Sequence, residues 1–403
     1  MQDFFKALIG VLILLGLFLH LSLLHPLMSY ANGELVVNDF AYHLLLVKHF
    51  WIGRADVYQP SVQLQALSNY FLEPVSFSMP VGMTPTVLLL WLPFIAFGKN
   101  YLTVGYTLWM TTSLLLFGYG IYRTWIMLSC RRSFLIVTML IFASSACLGR
   151  ANTTGQTTLF AVSLLLLLFY LLEARIGGRL SLGIVAVLML LTIKPYYFLI
   201  GAPLAIISGC FMEIGVAVTI VLVVYAFLSL YAHTNLIASY LSGLAAYDQV
   251  SFFPQYNGAV NLGSADTLRG LLLPLYGEHV SFIVCDAAMI ASLLLTLIVS
   301  YGLKHENRRA AKRICLVGMT GAVLLFSPFL GSYENILIIP AFYFVAFGAG
   351  PQKLSTLYFL ALSLLLFLVL NSAAIVTKET VILLIFAKVS LIILLFYRAR
   401  HNS

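Results

Sequence analysis

The sequence predicts an all-α polytopic membrane protein, one transmembrane domain over residues 1–403 with about 12 (11–13) membrane-crossing helices. The first observation is composition, because 62% of the residues are hydrophobic and 9% are charged, whereas a soluble domain carries about 25% charged residues. So few polar groups cannot cover a surface that faces water. The second observation is that apolar runs of about 17–25 residues recur, without the alternation that membrane strands show.

The first apolar run, 6–26, is predicted to be an uncleaved helix. With Lys6 before it and small residues at 29–31 after it, the run also loosely imitates a cleaved signal peptide. The run is long enough to span, however, and Asp3 precedes it as well as Lys6. We therefore expect it to remain part of the protein.

Basic residues in short loops orient the later runs, because Lys and Arg concentrate in cytoplasmic loops. All basic clusters are cytoplasmic if both chain ends are inside and 85–122 makes one net crossing. The run 85–98 contains Pro85 and Pro93 and is therefore predicted to be re-entrant or broken. This gives about twelve crossings, and about thirteen with one basic cluster outside is the alternative. The later runs are 85–98, 101–122, 133–149, 158–173, 181–197, 198–212, 215–232, 281–302, 314–331, 335–349, 354–372 and 381–397.

Two large loops are predicted outside, a first periplasmic or extracellular loop at 27–80 and a second at 233–280. The first loop contains an apolar stripe at helical spacing, which predicts an amphipathic helix. The apolar positions of this stripe are Phe40, Leu44, Val47 and Trp51. Such a helix is expected to lie along the membrane surface with its apolar face down.

Asp39 lies in the stretch 37–43, which follows the first apolar run and opens the polar loop. One interpretation is a helix N-cap, since Asp is a preferred residue there. The other is a general base that takes the proton of an attacking hydroxyl, because the membrane surface provides both an acceptor route and an apolar site that raises a carboxyl pKa. Asp56 and Glu73 share the loop, but no Asp-x-Asp pair occurs, so no metal site is predicted.

Lys194 ends the apolar run 181–193 and precedes Pro195. A lysine near bilayer depth costs about 2.5–3.5 kcal/mol on insertion scales, so it usually marks a function or a partner. It is either a snorkelling anchor, helped by Tyr196 and Tyr197 in an aromatic belt, or the binding cation of an anion such as a lipid phosphate. The orientation places it opposite the basic loops, which favours the anion.

Three further side chains leave two interpretations each. Gln156 is either an interhelical hydrogen-bonding group or a residue that faces a sugar. Glu334 is either an exposed turn carboxylate or a second acid in a cleft. Arg269 is either a phosphate clamp or a surface arginine.

Several function classes are excluded by the sequence. The formal charge of +8 comes from loops beside apolar runs, so it encodes membrane orientation and no nucleic-acid partner is expected. The five cysteines lie in or beside apolar runs without paired spacing and are interpreted as buried thiols. No P-loop, glycine-rich nucleotide fingerprint or Cys/His metal pattern occurs, so no cofactor or metal is expected.

Short motifs in a fixed order resemble the GT-C membrane glycosyltransferases, and within them glycosyltransferase family 87, over roughly residues 30–350. Each motif is weak alone and the ordered set is moderately specific. The motifs are Asn38-Asp39-Phe40-x-x-His43, Met79-Pro80-Val81-Gly82-Met83-Thr84-Pro85, Gly155-Gln156-x-x-Leu159-Phe160, Lys194-Pro195-Tyr196, and Ser327-Pro328 leading to Pro340.

The resemblance implies a GT-C-type bundle in the bacterial cytoplasmic (inner) membrane, with its active site facing the periplasm. It implies an inverting, metal-independent transfer from a polyprenyl-phosphate sugar to a glycolipid or glycan acceptor. Asp39 is then the general base and Lys194 the cation near the donor phosphate. The predicted substrate-binding residues are His43, Asn152, Gln156, Lys194, Tyr196, Asn261, Arg269, Tyr333 and Glu334.

Two departures from the family pattern affect these expectations. The family often has Tyr-Pro-Pro where this chain has Met83-Thr84-Pro85, and often a histidine in the turn at 333–335. The second departure bears on donor or acceptor specificity and on activity itself. A flippase or transporter of lipid-linked sugars and a glycan polymerase are the alternatives. A transporter predicts inverted repeats and charges at mid-span, and neither is clear in the sequence. The sugar, the linkage and the oligomeric state are not predicted.

Overall fold

The computed structural model describes residues 39–71, 82–96, 102–128, 156–175, 180–250, 267–327, 332–347 and 378–401. These residues form helices joined by turns, and no strand occurs among them, which confirms the predicted all-α class. Among these described residues are two 3₁₀ helices, Leu92–Ala96 and Ser332–Leu337. The α-helices in chain order are α1 Asp39–Gly53, α2 Pro60–Phe71, α3 Thr86–Leu90, α4 Leu102–Leu128, α5 Thr158–Ala174, α6 Leu182–Leu191, α7 Pro195–Ile207, α8 Phe211–Tyr231, α9 Leu236–Val250, α10 Leu268–Leu303, α11 Arg308–Phe326, α12 Ile338–Phe347 and α13 Lys378–His401.

Two helices of the described ranges are long and apolar enough to cross a membrane, namely Phe211–Tyr231 and His279–Leu303. Both expose most of their large apolar side chains, as helices that face lipid do. The helical architecture therefore fits a polytopic membrane protein, and the number of crossings stays a prediction. The predicted runs 6–26, 133–149 and 354–372 lie outside the described residues.

The structure corrects the boundary between the predicted runs 181–197 and 198–212. Helix α6 ends at Leu191 and α7 begins at Pro195, so the break lies at 192–194. The reason is Pro195, whose ring fits the first helical position and holds the preceding residue in an extended conformation. Lys194 indeed has φ −128° and ψ 135°. Lys194 is therefore a turn residue between two helices.

The predicted run 85–98 is broken, as its prolines indicate. Helix α3 has five residues, and the 3₁₀ helix that follows it also has five. The prediction that this run is not a continuous spanning helix is confirmed for residues 86–96. Further along, the predicted outer loop 233–280 contains helix α9 and the start of α10, which is interrupted at Gly277 with φ +76°.

Helix α1 is present, but its predicted apolar stripe is covered by other parts of the protein, and its position relative to the membrane stays a prediction. The Phe40 ring packs against Trp91 at 5.4 Å and Tyr106 at 5.8 Å, and both residues come from later in the chain. These later elements enclose the helix on several sides, and only its last turns, with Lys48 and Ile52, are exposed. Its buried side chains include Phe40, Tyr42, Leu44, Leu46, Val47 and Phe50.

The end of α1 is fastened to the bundle by two hydrogen bonds. Trp51 Nε1 donates to the Leu88 carbonyl oxygen at 2.8 Å, and the Tyr231 hydroxyl donates to the Trp51 carbonyl oxygen at 2.5 Å. Helix α1 is thereby joined to α3 and to the end of α8.

Helices α6 and α7 form an antiparallel hairpin with Lys194 at its tip. The Ser181 amide, before α6, donates to Glu213 Oε1 at 3.3 Å, and the Ser208 carbonyl oxygen, after α7, accepts from Arg308 at 2.7 Å. The two helices have 10 and 13 residues, which is about 15 and 20 Å of rise. The bundle therefore has two polar ends, a tip end at Lys194 and a basic end at the open side of the hairpin.

The basic end gathers basic groups from separate parts of the chain. The Arg123 guanidinium lies 4.4 Å from the Tyr170 ring centroid near the end of α5, and Lys312 lies beside Glu173 on the same helix. Arg400 lines a cavity together with Leu303. This grouping agrees with the prediction that these basic residues share one side.

Candidate active site

The tip of the α6–α7 hairpin is held against the segment that precedes α3. The Thr84 amide donates to the Ile193 carbonyl oxygen at 2.8 Å, and the Thr84 hydroxyl donates to the Thr192 carbonyl oxygen at 2.6 Å. Two backbone carbonyls that no helix satisfies thus find donors 108 residues away in the chain. Lys194, the next residue, is fixed in place as a result.

Lys194 forms a buried ion pair with Glu334 of the second 3₁₀ helix. The Lys194 Nζ to Glu334 Oε1 distance is 2.7 Å, and the two residues are 6% and 0% exposed. The Tyr196 hydroxyl donates to the same carboxylate oxygen, and the Tyr197 hydroxyl does so at 3.4 Å. Neither the interpretation of Lys194 as a snorkelling anchor nor that of Glu334 as an exposed turn carboxylate survives, because both charges lie inside the protein.

The Glu334 carboxylate gives Lys194 a counter-charge inside the protein. A buried ion pair is retained when its attraction and hydrogen bonds offset the desolvation of both groups. Three donors, from Lys194, Tyr196 and Tyr197, surround Glu334 Oε1. An anion that enters the site can therefore bind the Lys194 ammonium while Glu334 keeps the two tyrosine hydroxyls. The arrangement can therefore bind an anion without leaving a bare cation in the empty protein.

The start of α5 forms a second wall of the site. The Tyr197 hydroxyl oxygen lies 3.1 Å from Thr158 Oγ1 and can accept the threonine proton while its own proton goes to Glu334. Gln156, two residues earlier, is buried, and its Oε1 atom meets no hydrogen-bond donor among the described residues. A buried polar atom without a partner calls for an explanation such as a bound ligand. Both interpretations of Gln156, as a residue that faces a sugar and as an interhelical hydrogen-bonding group, stay open, because residues 129–155 lie outside the described ranges.

Two tyrosines, Tyr58 before α2 and Tyr240 on α9, line another side of the site. The Tyr58 hydroxyl donates to the Met83 carbonyl oxygen at 3.0 Å, and its ring lies 5.4 Å from that of Tyr240 on α9. Burial, and then the neighbouring phenols of Tyr240 and Tyr225 and the Asp56 carboxylate, raise the pKa of Tyr58 well above its usual value. It therefore stays a neutral hydrogen-bond donor at physiological pH. The Tyr240 hydroxyl is buried without a partner among the described residues.

An aromatic chain connects the start of α1, where Asp39 lies, to the start of α5. The ring centroid of Trp91 lies 5.4 Å from that of Phe40, 5.2 Å from that of His43 and 5.7 Å from that of Trp109. Trp109 lies 5.5 Å from Phe160 in the first turn of α5. The backbone of Asp39 begins α1, and its side chain lies outside the described atoms.

The remaining predicted residues fall into two groups. Arg269 is buried on α10, with its guanidinium 5.5 Å from the Phe282 ring centroid, so it is not a surface arginine. Asn152 and Asn261 lie outside the described residues, and Tyr333 is described only in its backbone. Of the predicted set, the structure brings Lys194, Tyr196 and Glu334 into direct contact.

Sequence reasoning missed Thr84, Thr158 and Tyr240 as site residues. Thr84 precedes α3 within the motif at 79–85, and Thr158 begins α5 within the motif at 155–160. Their place in these motifs is a sequence signal that could have identified them. Tyr240 lies in a segment interpreted as a loop, and its packing on Tyr58 joins residues 182 positions apart, a contact that no local pattern reports.

A family model, glycosyltransferase family 87, matches residues 84–328. The chain belongs to glycosyltransferase family 87. A search of curated proteins found no match, and neither did a search of solved structures. Membership in family 87 makes the protein a glycosyltransferase, a transferase of glycosyl groups. The family 87 match includes Thr84, Gln156, Lys194 and Arg269, whereas Asp39 and Glu334 lie outside it.

Proposed function

We propose that the protein transfers a sugar from a polyprenyl-phosphate donor to a hydroxyl of a glycolipid or glycan acceptor, at the tip end of the bundle. In this proposal the tip end faces the non-cytoplasmic side of a bacterial inner membrane. The observation that supports it most is the buried Lys194–Glu334 pair, because it places an exchangeable cation inside a family 87 glycosyltransferase. A lipid donor needs no nucleotide-binding site, since it arrives through the membrane.

Lys194 is proposed to bind the donor phosphate. In the empty protein its ammonium is held by Glu334 at 2.7 Å. The donor phosphate is a stronger acceptor than one shared carboxylate oxygen, because it offers several charged oxygens. Tyr196 and Tyr197 then keep Glu334 satisfied through their hydroxyls while Lys194 turns to the phosphate. Gln156 and Tyr240, whose polar atoms have no partner within the described ranges, are proposed to hydrogen-bond the sugar.

The proposed reaction is a single displacement with inversion. The acceptor hydroxyl oxygen attacks the anomeric carbon while Asp39 takes the hydroxyl proton. A new carbon–oxygen bond forms on the face opposite the phosphate, and the bond to the phosphate oxygen breaks with its electron pair going to the lipid phosphate. The lipid phosphate leaves as an anion stabilised by Lys194. No metal ion takes part in this scheme.

The test is transfer by the purified full-length protein in lipid vesicles. Labelled polyprenyl-phosphate sugars are added with a mixture of candidate acceptors, and the lipid and water-soluble products are analysed with and without excess chelator. We expect label in a new glycoside with inverted anomeric configuration, and unchanged rates in chelator. Movement of intact donor across the bilayer with no new glycoside would instead indicate a flippase. Rescue of a chelator-inhibited reaction by Mn²⁺ or Mg²⁺ would overturn the metal-free scheme.

A further inference from the structure

A cationic cavity of about 460 Å³ lies at the basic end, between the end of α5 and the start of α11. Along α5 the cavity is roughly 24 Å from the start of the helix, where the candidate active site lies. It is therefore a separate feature, which the proposed reaction does not use. Its lining residues are Leu172, Glu173, Arg175, Arg308, Arg309 and Lys312.

Two of the four lining cations are neutralised within the protein. Lys312 Nζ lies 2.5 Å from Glu173 Oε1, and Arg175 lies 2.8 Å from Oε1 of the buried Glu213. Arg175 also donates to Cys210 Sγ at 2.8 Å. These contacts join the end of α5 to the starts of α8 and α11, so the cavity has a fixed frame.

The other two lining cations, Arg308 and Arg309, form no ion pair with a carboxylate among the described residues, so their charge can attract an anionic ligand. Arg308 donates to the neutral Ser208 carbonyl oxygen at 2.7 Å and is otherwise exposed. Arg309 is exposed and makes no hydrogen bond or ion pair with any residue in the described ranges. Two adjacent guanidinium groups at the mouth of a polar cavity are suited to an anion with several oxygens, such as a phosphate.

An apolar surface begins beside the cavity. Helix α8 starts at Phe211, directly after Cys210, and both Phe211 and Met212 are exposed. Exposed apolar side chains continue along the helix to its end, among them Leu222, Val223, Phe227 and Leu230. A ligand with an anionic group in the cavity and hydrocarbon chains against α8 would match both surfaces, whereas a small ion in water would use only the first.

We propose that this cavity binds the phosphate headgroup of an anionic phospholipid, whose acyl chains lie along α8. Arg308 and Arg309 bind the phosphate oxygens. The Arg175–Glu213 and Lys312–Glu173 ion pairs fix the positions of the helices around the cavity. Basic cavities between membrane helices on the cytoplasmic side are suited to anionic lipid headgroups, because the lipid's own anchoring adds to the electrostatic attraction. The bound lipid ties the α5, α8 and α11 ends together.

The experiment measures thermal unfolding of the purified full-length protein in a neutral detergent, with phosphatidylglycerol, cardiolipin, phosphatidylcholine or inorganic pyrophosphate titrated in. Native mass spectrometry counts the lipids retained. The variant Arg308→Gln/Arg309→Gln removes both phosphate ligands. Its control, Arg400→Gln, is matched to Arg309→Gln and removes a basic charge at the same end but outside the cavity.

Saturable stabilisation by the anionic lipids is expected, weakened at least about tenfold in the Arg308→Gln/Arg309→Gln variant and kept in the control. Equal stabilisation by phosphatidylcholine, or equal loss in both variants, would overturn the site. Stabilisation by pyrophosphate as strong as by phosphatidylglycerol would make the ligand a soluble phosphate and overturn the lipid assignment. If the double variant does not fold, Arg309→Gln alone decides, because Arg309 holds no structural contact among the described residues.

Discussion

At the scale of single residues, Lys194 and Glu334 depend on each other for stability. Removing one member of a buried ion pair leaves an uncompensated charge and costs about 3–5 kcal/mol. We therefore expect Lys194→Met to lose donor use and also to lower the unfolding temperature of the protein. The double variant Lys194→Met/Glu334→Gln removes both charges and is expected to regain most of the lost stability but none of the activity. Thermal unfolding and donor titration of the single and double variants measure the two effects separately.

Glu334→Gln makes the opposite test of the same pair. Without its counter-ion, the Lys194 ammonium is expected to destabilise the empty protein but to remain available to the donor phosphate. We expect transfer to stay within about tenfold of the wild type, and added polyprenyl phosphate to stabilise this variant more than it stabilises the wild type. A loss of activity by several orders of magnitude, with normal folding, would identify Glu334 as the base and exclude Asp39.

Asp39 is tested by the substitution that removes only its basicity. Asp39 is the first residue of α1, where asparagine keeps the shape and loses only a helix-dipole interaction of about 0.3–1 kcal/mol, so Asp39→Asn is expected to unfold close to the wild-type temperature. If Asp39 is the general base, the transfer rate falls by roughly 10²–10⁴-fold. Single-turnover kinetics with saturating donor give this rate. Near-normal turnover would leave Asp39 as a first-turn residue of α1 with no part in proton transfer.

At the scale of helices, the contact between α10 and α11 depends on Gly318. A Cβ atom there would lie 2.4 Å from Thr296 Cγ2 and 2.5 Å from Thr296 Oγ1. Threonine is short and branched, so it cannot move aside cheaply. Small residues at helix contacts allow such close approach within membranes.

Gly318→Ala is therefore expected to destabilise the protein by about 1–3 kcal/mol. The control is Gly118→Ala in α4, where no atom lies within 4 Å of the added Cβ. This change is expected to be neutral or to stabilise, since alanine favours helix by about 1 kcal/mol. Unfolding temperatures of both variants in the same detergent provide the comparison, and equal effects would contradict the packing argument.

Sequence predicts the helices better than their contacts. The apolar run 215–232 lies close to the observed Phe211–Tyr231, because the length of a run reports the length of a helix. The stripe on α1 predicted a helix correctly but not its surroundings, since Trp91 and Tyr106 bury its other faces from outside the local pattern. Lys194 could be identified as a candidate site residue from the sequence, because a lysine beside an apolar run carries a free-energy cost of membrane insertion.

The partner of Lys194 lay beyond sequence reasoning. Glu334 is 140 residues away, and a carboxylate in a turn has the same local signature whether it is exposed or buried. Only the packing of the 3₁₀ helix against α5 and α11 decides between the two.

At the scale of the whole molecule, the two polar ends predict opposite accessibility. In a thiol-free background, Lys48→Cys on α1 is expected to react with a membrane-impermeant maleimide added outside intact cells. Glu306→Cys, in the turn between α10 and α11, is expected to react only after the membrane is opened. Both positions are exposed in the structure, so access depends on the side of the membrane. Labelling of position 306 from outside would overturn the orientation.

The shortness of the α6–α7 hairpin has a consequence for the bilayer itself. Helix α8, with 21 residues, rises about 31 Å and matches a hydrocarbon layer of about 30 Å, whereas the hairpin tip reaches only about 20 Å from the basic end. If the donor is the proposed polyprenyl-phosphate sugar, its headgroup in an undisturbed bilayer would lie above Lys194, and local thinning of the membrane would bring the two together. Thinning costs a fraction of a kcal/mol per ångström of mismatch. Transfer should therefore be faster in vesicles of short-chain lipids than in vesicles of long-chain lipids with the same headgroups.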